Sequence, residues 1–84
     1  MSIQLRFFAS LREALGSGSA IELPAAGMTA GQVRDHLIGL SPAHADALRR
    51  SRALRCALNQ QLCSEDAVVP EGAELAFFPP VTGG

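Results

Sequence analysis

Glu74-Leu75-Ala76-Phe77-Phe78-Pro79-Pro80-Val81-Thr82-Gly83-Gly84 closes the 84-residue chain, and its first five residues read as a strand. Leu75 and Phe77 fall on one face, Ala76 and Phe78 on the other. Pro79 and Pro80 offer no N–H to a ladder, so the strand stops there and the chain runs on extended. At about 3.3–3.6 Å per residue, Pro79, Pro80, Val81, Thr82, Gly83 and Gly84 reach roughly 20 Å beyond it. Gly83 and Gly84 carry no side chain, so this tail is expected to pass a narrow channel and present a bare carboxylate. A Gly-Gly ending alone would suit an ordinary frayed terminus. The stiff spacer leaving a strand is what sets this one apart.

Upstream of the last strand, Pro70-Glu71-Gly72 is a turn, and Ser64 to Val69 reads as a loop with room for one helical turn. Leu54 to Leu58 is a strand, Asn59-Gln60 the turn of a hairpin, and Gln61 to Cys63 its short partner. Thr29 with Gln32 forms a capping box that opens a helix near Ala30. Ala30, Val33, Leu37 and Leu40 give that helix one apolar face, and Gly39 weakens its last turn. Ser41-Pro42 starts a further short helix, with Pro42 at its first position. At the N-terminus Ile3, Leu5 and Phe7 alternate with Gln4, Arg6 and Phe8, a strand over Ser2 to Ala9. Ser10 and Glu13 have capping-box spacing, and Gly16 is placed to close the helix between. Ala20 to Leu23 makes another strand, antiparallel to the first.

The order is strand, strand, main helix, strand, short strand, strand. Four or five strands around one main helix is the β-grasp arrangement, an α+β fold, although order alone also admits other α+β rolls. The domain is expected over residues 1–78, with 79–84 as the extended tail.

A chain this short makes one domain, and with 48% apolar residues it has enough to pack a core. Its apolar runs fall well short of a membrane span, and no basic-then-apolar leader opens it, so a cytoplasmic protein is expected. Net charge is −1, which argues against a nucleic-acid face. Arg49, Arg50 and Arg52 read as solvating a helix end. Cys56 and Cys63 have no zinc or CxxC spacing, and Cys56 lies in an alternating run that predicts burial. His36 and His44 have no ligand companions. The expected metal content is none, and no Ser/His/Asp or Cys/His constellation appears.

The ending FFPPVTGG, the opening LRFFASLRE and the central ALNQQL together resemble the MoaD-type sulfur carriers, the small subunits of molybdopterin synthase. The resemblance frames the chain and is most specific at the tail; from Gly16 to about Arg52 it is generic. It implies a ubiquitin-like β-grasp fold and a cycle centred on Gly84. A ubiquitin-activating-like adenylyltransferase uses ATP and Mg²⁺ to adenylate the Gly84 carboxylate. A persulfide donor then displaces AMP and leaves a thiocarboxylate. The tail enters the large synthase subunit, in a heterotetramer, and sulfur passes to cyclic pyranopterin monophosphate. The carrier itself is implied to bind no cofactor and to need no catalytic side chain. Phe8, Leu62 and Phe78 match the family's apolar contact positions beside the tail, and an exposed cluster of this kind suits a partner surface.

Rival readings are a thiamine-pathway carrier, a ubiquitin-like protein modifier, or a β-grasp interaction module with an inert tail. A [2Fe–2S] ferredoxin would need four cysteines, and the chain has two. All seven basic side chains are arginine, as the compositional habit of an arginine- and alanine-rich genome would also give. An activated glycine therefore meets no lysine on its own chain.

Overall fold

The structure, a computed structural model, describes residues 1–80. Eight elements follow in order: β1 (Ser2–Phe7), α1 (Ala9–Leu15), β2 (Ala20–Glu22), α2 (Ala30–Ile38), α3 (Pro42–Leu48), β3 (Arg55–Leu58), β4 (Gln61–Cys63) and β5 (Glu74–Phe78). The strands form one mixed sheet in the order β2-β1-β5-β3-β4. Its central pair, β1 and β5, is parallel, with Gln4 opposite Glu74 and Phe7 opposite Phe77. β2 lies antiparallel to β1, and β3 antiparallel to both β4 and β5. This is the β-grasp arrangement expected from the order of elements.

Alternation decides which face is buried. Ile3, Leu5, Phe7, Leu75, Phe77 and Cys56 point inward and meet Leu11 of α1, Val33 and Leu37 of α2, and Leu48 of α3. Leu37, Leu48, Leu75 and Val33 are wholly withdrawn from water. Each contributes about 1.5–3 kcal/mol relative to an exposed side chain.

The capping boxes divide. In α2 both halves form: the Gln32 N–H donates to Thr29 Oγ1 at 3.1 Å, and the Thr29 N–H to Gln32 Oε1 at 2.8 Å. In α3 Ser41 caps His44 N–H at 3.1 Å, with Pro42 at the first turn. At α1 the expected box is absent. The N-cap is Phe8, which makes no side-chain cap, and Ser10 instead accepts from Arg52 Nη2 at 3.1 Å. The strand also ends at Phe7, short of the expected Ala9. Ala9 turns the chain with a left-handed φ of 53°, bringing Leu11 directly onto the sheet. Burying Leu11 outweighs the local capping signal.

Leu40 is a second correction. The helix stops at Ile38 with Gly39 as its C-cap, so Leu40 leaves the apolar stripe and is 49% exposed. The Ser64–Val69 segment has turns and a single bridge, Thr29 to Val68, instead of a helical turn. The Asn59-Gln60 hairpin turn stands as expected. Both residues are left-handed, φ 50° and 70°, the twist that a two-residue hairpin favours. Gly18 has φ 115°, and a Cβ there would lie 2.0 Å from the Leu5 carbonyl oxygen, so only glycine lets this connection pass β1.

One charged residue is buried in the scaffold. Arg34 is 3% exposed and spends its guanidinium on the end of α3: Nε donates to Leu48 O at 2.8 Å, and Nη2 to Arg49 O at 2.7 Å and Arg52 O at 3.0 Å. The Leu48 and Arg49 carbonyls are left orphaned where the helix ends, and Arg52 O lies in the turn that follows. Nη1 pairs with Glu65 at 2.8 Å, and Arg50 joins Glu65 to Asp35 and donates to Gly31 O. Burial pushes the Glu65 carboxyl up, but hydrogen bonds from Arg50 and Arg34 outweigh it and hold it below its usual range. The hydrogen bond from Arg50 likewise lowers Asp35. The arginine group after α3 thus does solvate a helix end, since Arg52 Nη1 donates to Ala47 O at 3.2 Å, but Arg50 also ties α2 to the β4–β5 loop.

Candidate docking face and tail root

The outward face of the sheet is built by the same alternation. Register aligns Arg6, Ala76, Ala57 and Leu62 in one row across β1, β5, β3 and β4. Beside that row, Phe78 stands opposite Arg55. Phe8 follows β1 directly and is held as the N-cap of α1, its carbonyl accepting from Leu11 N–H at 3.1 Å.

Phe8 and Phe78 meet edge to face, with ring centroids 6.4 Å apart and planes at 80°. Such pairs contribute about 0.5–1.5 kcal/mol beyond area burial. The Arg6 guanidinium lies 5.8 Å from the Phe8 centroid, a cation–π contact, and pairs with Glu74 at 3.6 Å. Phe8 remains 42% exposed and Leu62 70% exposed. Phe78, Pro79 and Pro80 are half-buried. Ala76 faces outward yet is only 5% exposed, its methyl sunk between longer neighbours. The result is a face with a low alanine floor at Ala57 and Ala76, aromatic on one side and Leu62 on the other.

Of the residues expected to act, the structure brings Phe8 and Phe78 into contact and puts Leu62 on the same face, across Ala57. Pro79 and Pro80 continue from β5 beside the aromatic pair. Val81, Thr82, Gly83 and Gly84, expected as the working end of the tail, lie outside the described residues.

Among the described residues no group of three or more His, Cys, Asp or Glu side chains is arranged to hold a metal ion. No helix among them is long and apolar enough to cross a membrane. His44 Nδ1 lies 2.8 Å from Ser41 Oγ, a contact explained by the helix cap that Ser41 forms. Cys56 and Cys63 stand directly opposite on β3 and β4, with their sulfurs 3.6 Å apart. Their spacing in sequence hid this, because hairpin register and not separation brings them together. Burial and the hydrogen bond from Cys63 push the Cys56 thiol up to about 12, so it stays protonated and a poor nucleophile.

The ThiS family model matches residues 5–84. The chain belongs to that family. The molybdopterin synthase sulfur carrier subunit of Escherichia coli is 43% identical over 98% of this chain and 99% of its own length. SAMP1 of Haloferax volcanii, a small archaeal modifier protein, is similar at 30% identity and TM-score 0.75, with full coverage of both chains. A subunit of the molybdopterin-converting factor of Helicobacter pylori, solved as a complex of subunits 1 and 2, shares the fold at TM-score 0.66 and 21% identity, both chains fully covered. Membership places this ThiS-family chain among ubiquitin-like sulfur carriers, with the β-grasp sheet that carries them.

Proposed function

We propose that this ThiS-family chain is the sulfur-carrying small subunit of a molybdopterin synthase, and that sulfur travels as a thiocarboxylate on Gly84. The observation that carries the reading is the full-length likeness to the E. coli carrier, joined to a strand whose C-terminal end leads into Pro79-Pro80 beside an exposed aromatic pair. A free carboxylate is a poor acyl donor, so an adenylyltransferase first uses ATP and Mg²⁺ to make the Gly84 acyl-adenylate. A persulfide displaces AMP, and the resulting thiocarboxylate is a soft nucleophile on a tether. Its sulfur is delivered to cyclic pyranopterin monophosphate at high effective concentration. This chain's own part is to present and orient the tail.

Phe8, Leu62 and Phe78 are the docking face in this reading, engaging the large subunit of a heterotetramer and, in turn, the activating enzyme. The Helicobacter complex of subunits 1 and 2 supports a two-subunit assembly. All of this chemistry belongs in the cytoplasm, where ATP is available.

Deletion of Gly84 is the direct test. The melting temperature should not change, while AMP formation with the activating enzyme and molybdopterin synthesis should both vanish. A truncated carrier that still supports synthesis would refute the assignment. Gly83→Ala and Gly84→Ala ask a narrower question, since each adds a Cβ to a threaded tail. They should retain stability and lose most turnover; near-normal rates would show that no tight passage exists.

A further inference from the structure

Cys56 and Cys63 belong neither to the tail nor to the docking face, yet the fold puts their sulfurs in contact. They are partners across the β3–β4 ladder, and both side chains pack on the core from the inner face of the sheet. The Cys63 thiol donates to Cys56 Sγ at 3.6 Å, while the Cys56 thiol donates to Cys63 O at 3.4 Å. A core position here asks only for a small apolar side chain, and one cysteine would meet that need. Two that face each other, sulfur to sulfur, are a dithiol. We propose that Cys56 and Cys63 form a reversible dithiol–disulfide couple, oxidised by small hydroperoxides, whose bond fastens the edge strand β4 to β3. This couple is separate from the carrier chemistry at Gly84.

The backbone already has the geometry. Residues directly opposite on antiparallel strands have Cα atoms about 4.5–5.5 Å apart, within the roughly 4.4–6.8 Å that a disulfide bridges. The sulfurs have to close by about 1.5 Å to reach bonding distance, a movement that side-chain rotation supplies. Register is held at both ends of β4, so the pair does not slide apart. Before it stands the Asn59-Gln60 turn, with both residues left-handed. After it, Glu65 is bound by Arg34 at 2.8 Å and also by Arg50. β4 itself has three residues and pairs with β3 alone. A short edge strand opens locally more readily than the core, and a covalent tie to its neighbour removes that freedom.

Exposure sets the order of events. Cys56 is 3% exposed and Cys63 half-buried, so an oxidant reaches Cys63 first. Its sulfur, as thiolate, attacks the terminal oxygen of the hydroperoxide. An S–O bond forms, the O–O bond breaks, and the departing alkoxide leaves as alcohol with the proton of the thiol. Cys56 then attacks the sulfenic sulfur of Cys63. The S–S bond forms, the S–O bond breaks, and hydroxide leaves as water with the Cys56 proton. Two thiols lose two electrons, and the hydroperoxide gains them. Burial keeps the Cys56 thiol protonated until that step, so it resolves the intermediate and is not the first target. A small thiol reverses the bond by exchange.

The test treats the reduced full-length chain with hydrogen peroxide, denatures it, labels free thiols with a maleimide and measures intact mass. Wild type should become a monomer lighter by two hydrogen atoms with neither cysteine labelled, and dithiothreitol should restore both labels. Cys56→Ala should stop at the sulfenic acid, heavier by one oxygen and captured by a 1,3-dione. Cys63→Ser should keep Cys56 free, losing thiol at least about tenfold more slowly than wild type. Hydrogen exchange of the β4 amides should slow at least about tenfold in the oxidised chain. Wild type that accumulates oxygen on Cys63 while Cys56 still takes the label, or that pairs only between chains, would overturn the couple. Equal exchange at β4 in the reduced and oxidised chains would overturn the fastening of that strand.

Discussion

β5 has two faces that do different work. Leu75 and Phe77 are 0% and 1% exposed and close the core against the helices. One residue further, Phe78 faces the other way, meets only the edge of Phe8 among aromatic rings, and leads into the prolines. The inner face is apolar, filled by three helices, and backed by the Arg34 clamp. The outer face keeps Phe8 and Leu62 in water at a standing cost, which folding alone does not require. The contrast separates two adjacent residues of one type: the first holds the fold together, and the second lies on the proposed docking face.

Truncating the two neighbours breaks the contrast most directly. Phe77→Ala should lower folding stability by about 3–5 kcal/mol, as expected for a core phenylalanine. Equilibrium denaturation measures it. Arg34→Ala comes next, with a loss of about 3 kcal/mol, because the carbonyls of Leu48, Arg49 and Arg52 lose their shared donor and Glu65 keeps only Arg50. A loss below about 1 kcal/mol would mean that water replaces the clamp. Phe78→Ala should leave denaturation little changed and weaken binding of the large subunit at least tenfold, the effect of removing an anchor worth about 2 kcal/mol. A destabilised Phe78→Ala protein that still binds normally would move Phe78 from the docking face to the core.

The smallest expected effect concerns pH. Asp35 and Glu65 have folded-state values below their unfolded ones, because Arg50, with Arg34, holds their charged forms. Folding therefore binds fewer protons at these sites. Their contribution is complete above the unfolded carboxyl range, near pH 4, and disappears as pH falls through the lowered folded values. Thermal melts between pH 7 and pH 3 should show a shallow acid limb that Arg50→Gln flattens. An unchanged limb in that variant would assign the acid sensitivity to other carboxylates.

Periodicity was enough to find the strands and α2, the Ser41-Pro42 start signal to find α3, and the Asn59-Gln60 turn to find the hairpin, because each is a local pattern that the core reinforces. It also separated Phe77 from Phe78, since alternation along β5 needs no tertiary information. The start of α1 was hidden because Ser10 and Glu13 offer a good local cap that the burial of Leu11 overrides. Arg34 could have been noticed. It falls in the stripe of Ala30, Val33 and Leu37, where a charge signals a partner, but the partners lie on α3 and the β4–β5 loop, remote in sequence. The Cys56–Cys63 juxtaposition follows from hairpin register once Asn59-Gln60 is taken as a two-residue turn.

The proposed chemistry resides in the carboxylate of Gly84, and intact-mass measurement of the protein isolated from its native host tests it most directly. With molybdopterin synthesis under way, a fraction of the chain should be heavier by the replacement of one oxygen with sulfur. Fragmentation should place the change at Gly84. A chain whose C-terminal peptide carries only oxygen, while the cell continues to make molybdopterin, would contradict the account.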